Sequence, residues 1–133
     1  MPSQEEIEGL SEDFDAVVIL VEDFELKYDP REWNKKNVEV LHFPIPDLSA
    51  PPIEGLFQIL HWIDERVRRG KRVLIHCLGG LGRSGTVAVA WIMYSQKLPL
   101  QEVLYRVRKL RPGAVETEEQ IKIQRELEKF LSK

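Results

Sequence analysis

The sequence predicts a single α/β domain, residues 1–133, in which a mostly parallel sheet is flanked by helices. Three observations carry that prediction. Short apolar runs at residues 16–21 (AVVILV), 38–43 (VEVLHF) and 71–76 (KRVLIH) alternate with longer segments of helical periodicity. Such alternation leads to parallel strands joined by right-handed crossovers. The run AVVILV shows no polar alternation, the pattern of a strand covered on both faces. A chain of 133 residues, 43% hydrophobic and 31% charged, has the size and composition of one domain with an ordinary core.

Each element has its own local reason. After the first strand, Asp29-Pro30 marks a turn and REWNKKN (31–37) a short helix. The second strand, 38–43, is ended by Pro44 and Pro46. Residues 51–69 place Leu56, Ile59, Leu60, Ile63 and Val67 on one helical face, with a basic last turn closed by Gly70. The third strand, 71–76, runs into a glycine-rich loop. Residues 84–94 (SGTVAVAWIMY) are apolar nearly all round, as a helix packed inside the domain must be. Leu100, Val103, Leu104, Val107 and Leu110 form the stripe of another helix, stopped by Arg111-Pro112-Gly113. A final helix is expected over 117–131. No repeat, linker or low-complexity tract interrupts the pattern.

Composition excludes several classes. No apolar run approaches the ~18 residues needed to span a bilayer, and the acidic start MPSQEEIEGL reads as neither signal nor transit peptide. A single cysteine rules out an intramolecular disulfide and fits a reducing cytoplasm. His42, His61 and His76 are far apart and show no ligand spacing, so no metal site is expected. One Cys and two Met beside abundant Glu, Lys and Arg match the composition of heat-adapted proteins. Net charge is −3 and uneven: residues 1–60 hold 4 Lys/Arg against 14 Asp/Glu, residues 61–133 hold 15 against 8. The two halves are either oppositely charged solvated faces, or the basic half surrounds an anion site. The overall negative charge speaks against nucleic-acid binding.

The stretch HCLGGLGRSGT, residues 76–86, concentrates the chemistry. It holds the only cysteine and four of the eight glycines. Ligands of parallel sheets bind beyond the carboxyl ends of the strands, and both this loop and the PIPD segment leave strands at that edge. Gly80-x-Gly82-x-x-Gly85 matches a dinucleotide fingerprint, but the acidic residue that should follow a second strand is missing. A Walker-type loop would need a lysine, and Gly85-Thr86-Val87 has none. Cys77-x5-Arg83-Ser84 fits a third chemistry. The amides of Leu78, Gly79, Gly80, Leu81 and Gly82 can turn inward as an anion nest, backed by the N-terminus of the next helix. That nest suits a phosphate dianion and would equally stabilise a thiolate at Cys77, while Arg83 can grip two oxygens bidentately. The plain alternative is a buried, inert cysteine at a tight turn. Arg83, Ser84 and four glycines at these positions go beyond what that alternative explains.

His76-Cys77-x5-Arg83-Ser84-Gly85 resembles the signature of the cysteine-dependent protein tyrosine and dual-specificity phosphatases. FPIPD, and RPGAVET with the following EEQ, resemble the small archaeal-type members. The resemblance covers about residues 15–125. It implies the tyrosine/dual-specificity phosphatase fold and a metal- and cofactor-free reaction through a phosphocysteine. It also implies phosphorylated protein substrates and affinity of the loop for phosphate or vanadate-type anions. Neither nucleic acid nor membrane is an expected partner, and a monomer is expected. The N-terminus looks shorter than in many relatives, so an extra strand or two is expected to be missing or built from residues 1–14.

The remaining roles keep two readings each. Asp47, in PIPDLSAPP, is a turn or helix-entry cap, or the acid that protonates the leaving oxygen; the resemblance favours the acid. His76 and Cys77 point to opposite faces of a strand, so His76 is expected to hold the loop from behind. Ser84 is the N-cap of the next helix or the hydroxyl that stabilises Cys77 as a leaving thiolate. Thr117-x-x-Gln120 is a clean capping box; the resemblance adds a role for Gln120 in orienting the hydrolytic water. Phosphoinositide hydrolysis, phosphate reading without turnover and sulfur transfer are the competing functions. The loop segment LGGLG carries no lysine for extra phosphates, which weighs against the first of these.

Overall fold

In the computed structural model, residues 2–78 and 82–132 are described. Strands β1 (Ala16–Ile19), β2 (Glu39–His42) and β3 (Val73–His76) form a sheet of order β2-β1-β3, all parallel. Residues 16–21 are completely buried, as their uninterrupted apolar run requires of a central strand. The register aligns Ile19 with His42 on one side and with His76 on the other. All three strands therefore end at the same level, and the segments that follow them emerge at one edge.

The helices are α1 (Gln4–Asp13), α2 (Arg31–Lys35), α3 (Ile53–Arg68), α4 (Gly82–Gln96), α5 (Leu100–Leu110) and α6 (Glu118–Leu131). The periodicity of residues 51–69 is realised in α3, which buries Leu56, Ile59, Leu60 and Ile63. It ends as Gly70 predicts: Gly70 adopts φ +79° and the next amide, Lys71 N–H, donates to Arg66 O at 2.9 Å. Two apolar clusters share the interior. One surrounds the sheet and includes Ile7 and Trp33; the other joins α3, α4, α5 and α6 through Leu60, Val89, Met93, Val103 and Leu127.

Of the two alternatives expected at the N-terminus, no strand is built from residues 4–13, which form a helix: Ser3 and Glu6 make a capping box, and Ile7 inserts into the core at 2% exposure. Helix α4 begins at Gly82, two residues before the expected start, so Ser84 lies inside its first turn and is not its N-cap. No helix among the described residues is long and apolar enough to cross a membrane.

Candidate active site

Three segments meet beyond the strand ends. From β1 the chain enters a 3-10 turn, Asp23–Glu25; from β2 it enters the proline-rich turn at 44–49; from β3 it reaches Cys77 at once. Cys77 is 5% exposed and its Sγ lies 3.3 Å from Ser84 Oγ, with the thiol as donor. The hydroxyl of Ser84 thus faces the sulfur. Leu78 is 37% exposed at the mouth of the loop. Gly79, Gly80 and Leu81, expected to supply cradle amides, lie outside the described residues. Gly82, expected in the same cradle, is the first residue of α4.

Arg83 is buried, and a residue that sequence reasoning missed holds it. Its Nη1 donates to Glu25 Oε1 at 2.8 Å and to the Ile45 carbonyl at 2.9 Å, and its Nη2 to Glu25 Oε2 at 2.9 Å. This fork is charge-assisted and bidentate. The Arg83 hydrogen bonds hold the Glu25 carboxyl below the usual carboxylate range, and the same bonds push Arg83 upward. Its Nε and second Nη2 protons meet no acceptor among the described residues. They form the edge of the fork that remains for an anion. Asp47 Oδ1 stands 3.7 Å from Nη2 on an exposed side chain, so the sheet does bring the proline-turn acid to the arginine. No local pattern around Glu25 signals its role, because its partner is 58 positions away.

Behind the loop runs a buried column of polar rings. Trp33 Nε1–H donates to Tyr28 Oη at 2.9 Å, and Tyr28 Oη lies 2.7 Å from His76 Nε2. One proton is shared between Tyr28 Oη and His76 Nε2, and the histidine tautomer decides which of the two donates. Burial pushes His76 down to about 4, and burial raises Tyr28. His76 is therefore neutral near pH 7, bonded to Tyr28 through Nε2, while its buried Nδ1 meets no hydrogen-bond partner among the described residues.

Gln120 is fully buried, and its carboxamide joins two chain segments. Oε1 accepts the N–H groups of Glu116 (2.8 Å) and Thr117 (3.1 Å), and Nε2 donates to the Ser49 carbonyl at 3.1 Å. The capping box is present, yet its glutamine also leans on the loop: a Cβ on Gly82 would lie 3.1 Å from Nε2. The same Cβ would meet Glu116 Oε1 at 2.5 Å, the tip of a flexible side chain that would have to swing aside. Glu116, a second carboxylate at this rim, was also missed. Its preceding residue, Val115, takes a left-handed φ of 61°, and its carbonyl accepts from Arg108 Nη2 at 2.9 Å. No group of three or more His, Cys, Asp or Glu side chains able to hold a metal ion occurs among the described residues.

Comparison with known proteins gives a consistent result. The model of the dual specificity phosphatase catalytic domain matches residues 7–130. The tyrosine-protein phosphatase CDC14 of Candida albicans is 26% identical over 123 residues, 86% of this chain and 23% of that protein. The cyclin-dependent kinase inhibitor 3 of Sus scrofa is 38% identical over 78 residues, 57% of this chain and 37% of its own length. The chain thus spans less than half the length of either relative. Tk-PTP, solved in its active form, is 62% identical with a TM-score of 0.95, covering 97% of this chain and 88% of its own. PTPMT1, 22% identical with a TM-score of 0.88 and coverage of 99% and 88%, shares the fold. The family match reaches from α1 into the last turn of α6, and this chain belongs to the dual-specificity phosphatase family.

Proposed function

We propose that the protein hydrolyses phosphotyrosine in protein substrates, with phosphoserine and phosphothreonine as further substrates, through a phosphocysteine and without a metal ion. The observation that carries this reading is Arg83, fixed by Glu25 at the end of the loop that Cys77 opens, with Asp47 3.7 Å from its free edge. A nucleophile, an anion clamp and an acid are thereby gathered at one sheet edge.

In the first step the Cys77 thiolate attacks phosphorus, the S–P bond forms and the P–O bond to the phenol breaks. Arg83 receives two equatorial oxygens on its Nε and remaining Nη2 protons, and the loop amides take the others. Asp47 gives its proton to the departing phenolate oxygen. In the second step Asp47 takes a proton from water, which attacks the phosphocysteine. The S–P electron pair returns to sulfur, where the Ser84 hydroxyl stabilises the thiolate. Gln120 keeps one Nε2 proton beyond its bond to Ser49, and we assign it to orienting that water. Arg83 already supplies the charge that a metal would otherwise supply. The site is read as that of a protein of the cytoplasm.

The test is phosphate release from a phosphotyrosine peptide, with EDTA present, by the parent protein and by Cys77→Ser. Turnover by the parent and none by the variant is expected. Activity surviving in Cys77→Ser would put the nucleophile elsewhere. Peptide binding without turnover by either protein would make this a reader of phosphate.

A further inference from the structure

Asp47 sits on a turn whose backbone is strained. Ser49 N–H donates to the Pro46 carbonyl at 3.0 Å, and between them Leu48 takes φ 67° on a side chain that is 53% exposed. A non-glycine residue in this region is strained and persists only where its surroundings hold it. Leu48, half exposed, gains little from burial here, and the hydrogen bonds that hold it run through the backbone. One part is local: Leu48 N–H donates to Asp47 Oδ1 at 2.9 Å. The other part comes from the start of α6, about 70 positions along the chain. Thr117 Oγ1–H donates to the Leu48 carbonyl at 2.9 Å, and Gln120 Nε2 donates to the next carbonyl, Ser49, at 3.1 Å.

We infer that Thr117 is a positioning residue for the acid: its hydroxyl locks the left-handed Leu48 and so fixes where the Asp47 carboxyl points. The proposal rests on the phosphatase reading above and goes beyond it. As N-cap, Thr117 accepts the Gln120 N–H at 3.2 Å. An N-cap needs only an acceptor, and many helices have one that touches nothing else. The hydroxyl of Thr117 does two jobs with one oxygen: its lone pair caps α6 and its proton holds the acid turn. Serine can do both. Aspartate is as good a cap but has no proton to give.

That difference supplies the test. Thr117→Asp, Thr117→Ser and the parent are compared on two aryl phosphates, with kcat/KM as readout because it reports cleavage of the P–O bond. Phenyl phosphate has a basic leaving group and depends on a well-placed acid; 4-nitrophenyl phosphate expels an acidic phenol and depends on it little. Thr117→Asp is expected to lose about tenfold on phenyl phosphate while staying within about twofold on 4-nitrophenyl phosphate. Its thermal midpoint should remain within about 2 °C of the parent, and Thr117→Ser should restore phenyl phosphate turnover. An equal loss on both esters, or no loss on either, overturns the proposal while leaving the phosphatase reading intact. Failure of the parent to hydrolyse both esters overturns that reading and the proposal with it.

Discussion

Helices α1 and α6 begin with the same device. At Ser3 the hydroxyl accepts the Glu6 N–H and the Glu6 carboxylate accepts the Ser3 N–H, both at 3.2 Å and both at the surface. At Thr117 the pattern repeats with Gln120, but Gln120 is fully buried and both side chains reach the 48–49 carbonyls. The first box closes a helix end and does nothing else. The second closes a helix end and holds the wall of the site. Glu25 carries the principle further: it accepts the Glu22 N–H at 3.0 Å in its own short turn and simultaneously grips Arg83. A local cap becomes part of a site when its third residue is buried against a distant segment.

The largest effect that would sharpen this contrast is expected at Glu25. Glu25→Ala leaves the buried Arg83 without its counter-charge, which should destabilise the fold by about 3–5 kcal/mol. It should also lower kcat/KM for 4-nitrophenyl phosphate by at least ~100-fold as the guanidinium loses its orientation. Urea unfolding and steady-state kinetics check both, with Glu25→Gln falling between parent and Ala. Unaltered kinetics in Glu25→Ala would show that Arg83 orients itself without the fork.

Next in size is a pH effect on the same side of the molecule. His76 titrates near 6.5 in the unfolded chain and at about 4 in the fold. Between those values the unfolded state binds the extra proton, so stability falls as pH drops from about 6.5 to 4 and is fully present above that window. The contribution is about 3 kcal/mol. Glu25 adds to the loss with the same sign: its lowered folded value gives stability above the ordinary carboxylate range, lost as pH falls through it. Urea midpoints of the parent at pH 7 and pH 4.5 should differ clearly. His76→Gln should flatten that difference; an equal slope in the variant would place the titration elsewhere.

The smallest effects separate the two boxes directly. Gln120→Ala should lower stability by about 1–2 kcal/mol and slow dephosphorylation, so that phosphocysteine accumulates in rapid-quench experiments. Glu6→Ala should lower stability by only about 0.5 kcal/mol and leave turnover unchanged. Matching kinetics in the two variants would erase the distinction between an end cap and a site wall.

What the sequence discloses follows the range of the interaction. The three strands, the Gly70 stop and the Thr117 box depend on neighbours within a few residues, and each is legible. Cys77 and Ser84, seven positions apart, could be paired in advance because the loop between them closes locally. The helix at residues 4–13 is legible too: Ser3-x-x-Glu6 followed by Ile7 and Leu10 is the same signature as the later box. Glu25, Glu116 and Tyr28 were not legible. Each acts on a residue tens of positions away, and in sequence each is one more glutamate or tyrosine in a segment of its own. The fork on Arg83 exists because the sheet register brings three strand ends to one level, which no window of sequence contains.

That register also orders events in time. The central strand β1 is synthesised early, but one of its neighbours arrives late. Arg72 N–H at the entrance to β3 donates to an Asp15 carboxylate 57 residues before it. Closing so long a loop loses chain entropy before pairing returns any energy, so docking of β3 lags behind the local turns of α3 and α4. Cys77 comes one residue after β3 and is placed only when that strand is. A chain with its helices wound and β3 undocked would look largely folded by helical content and possess no site. The appearance of activity in a refolding chain therefore clocks the closure of the sheet.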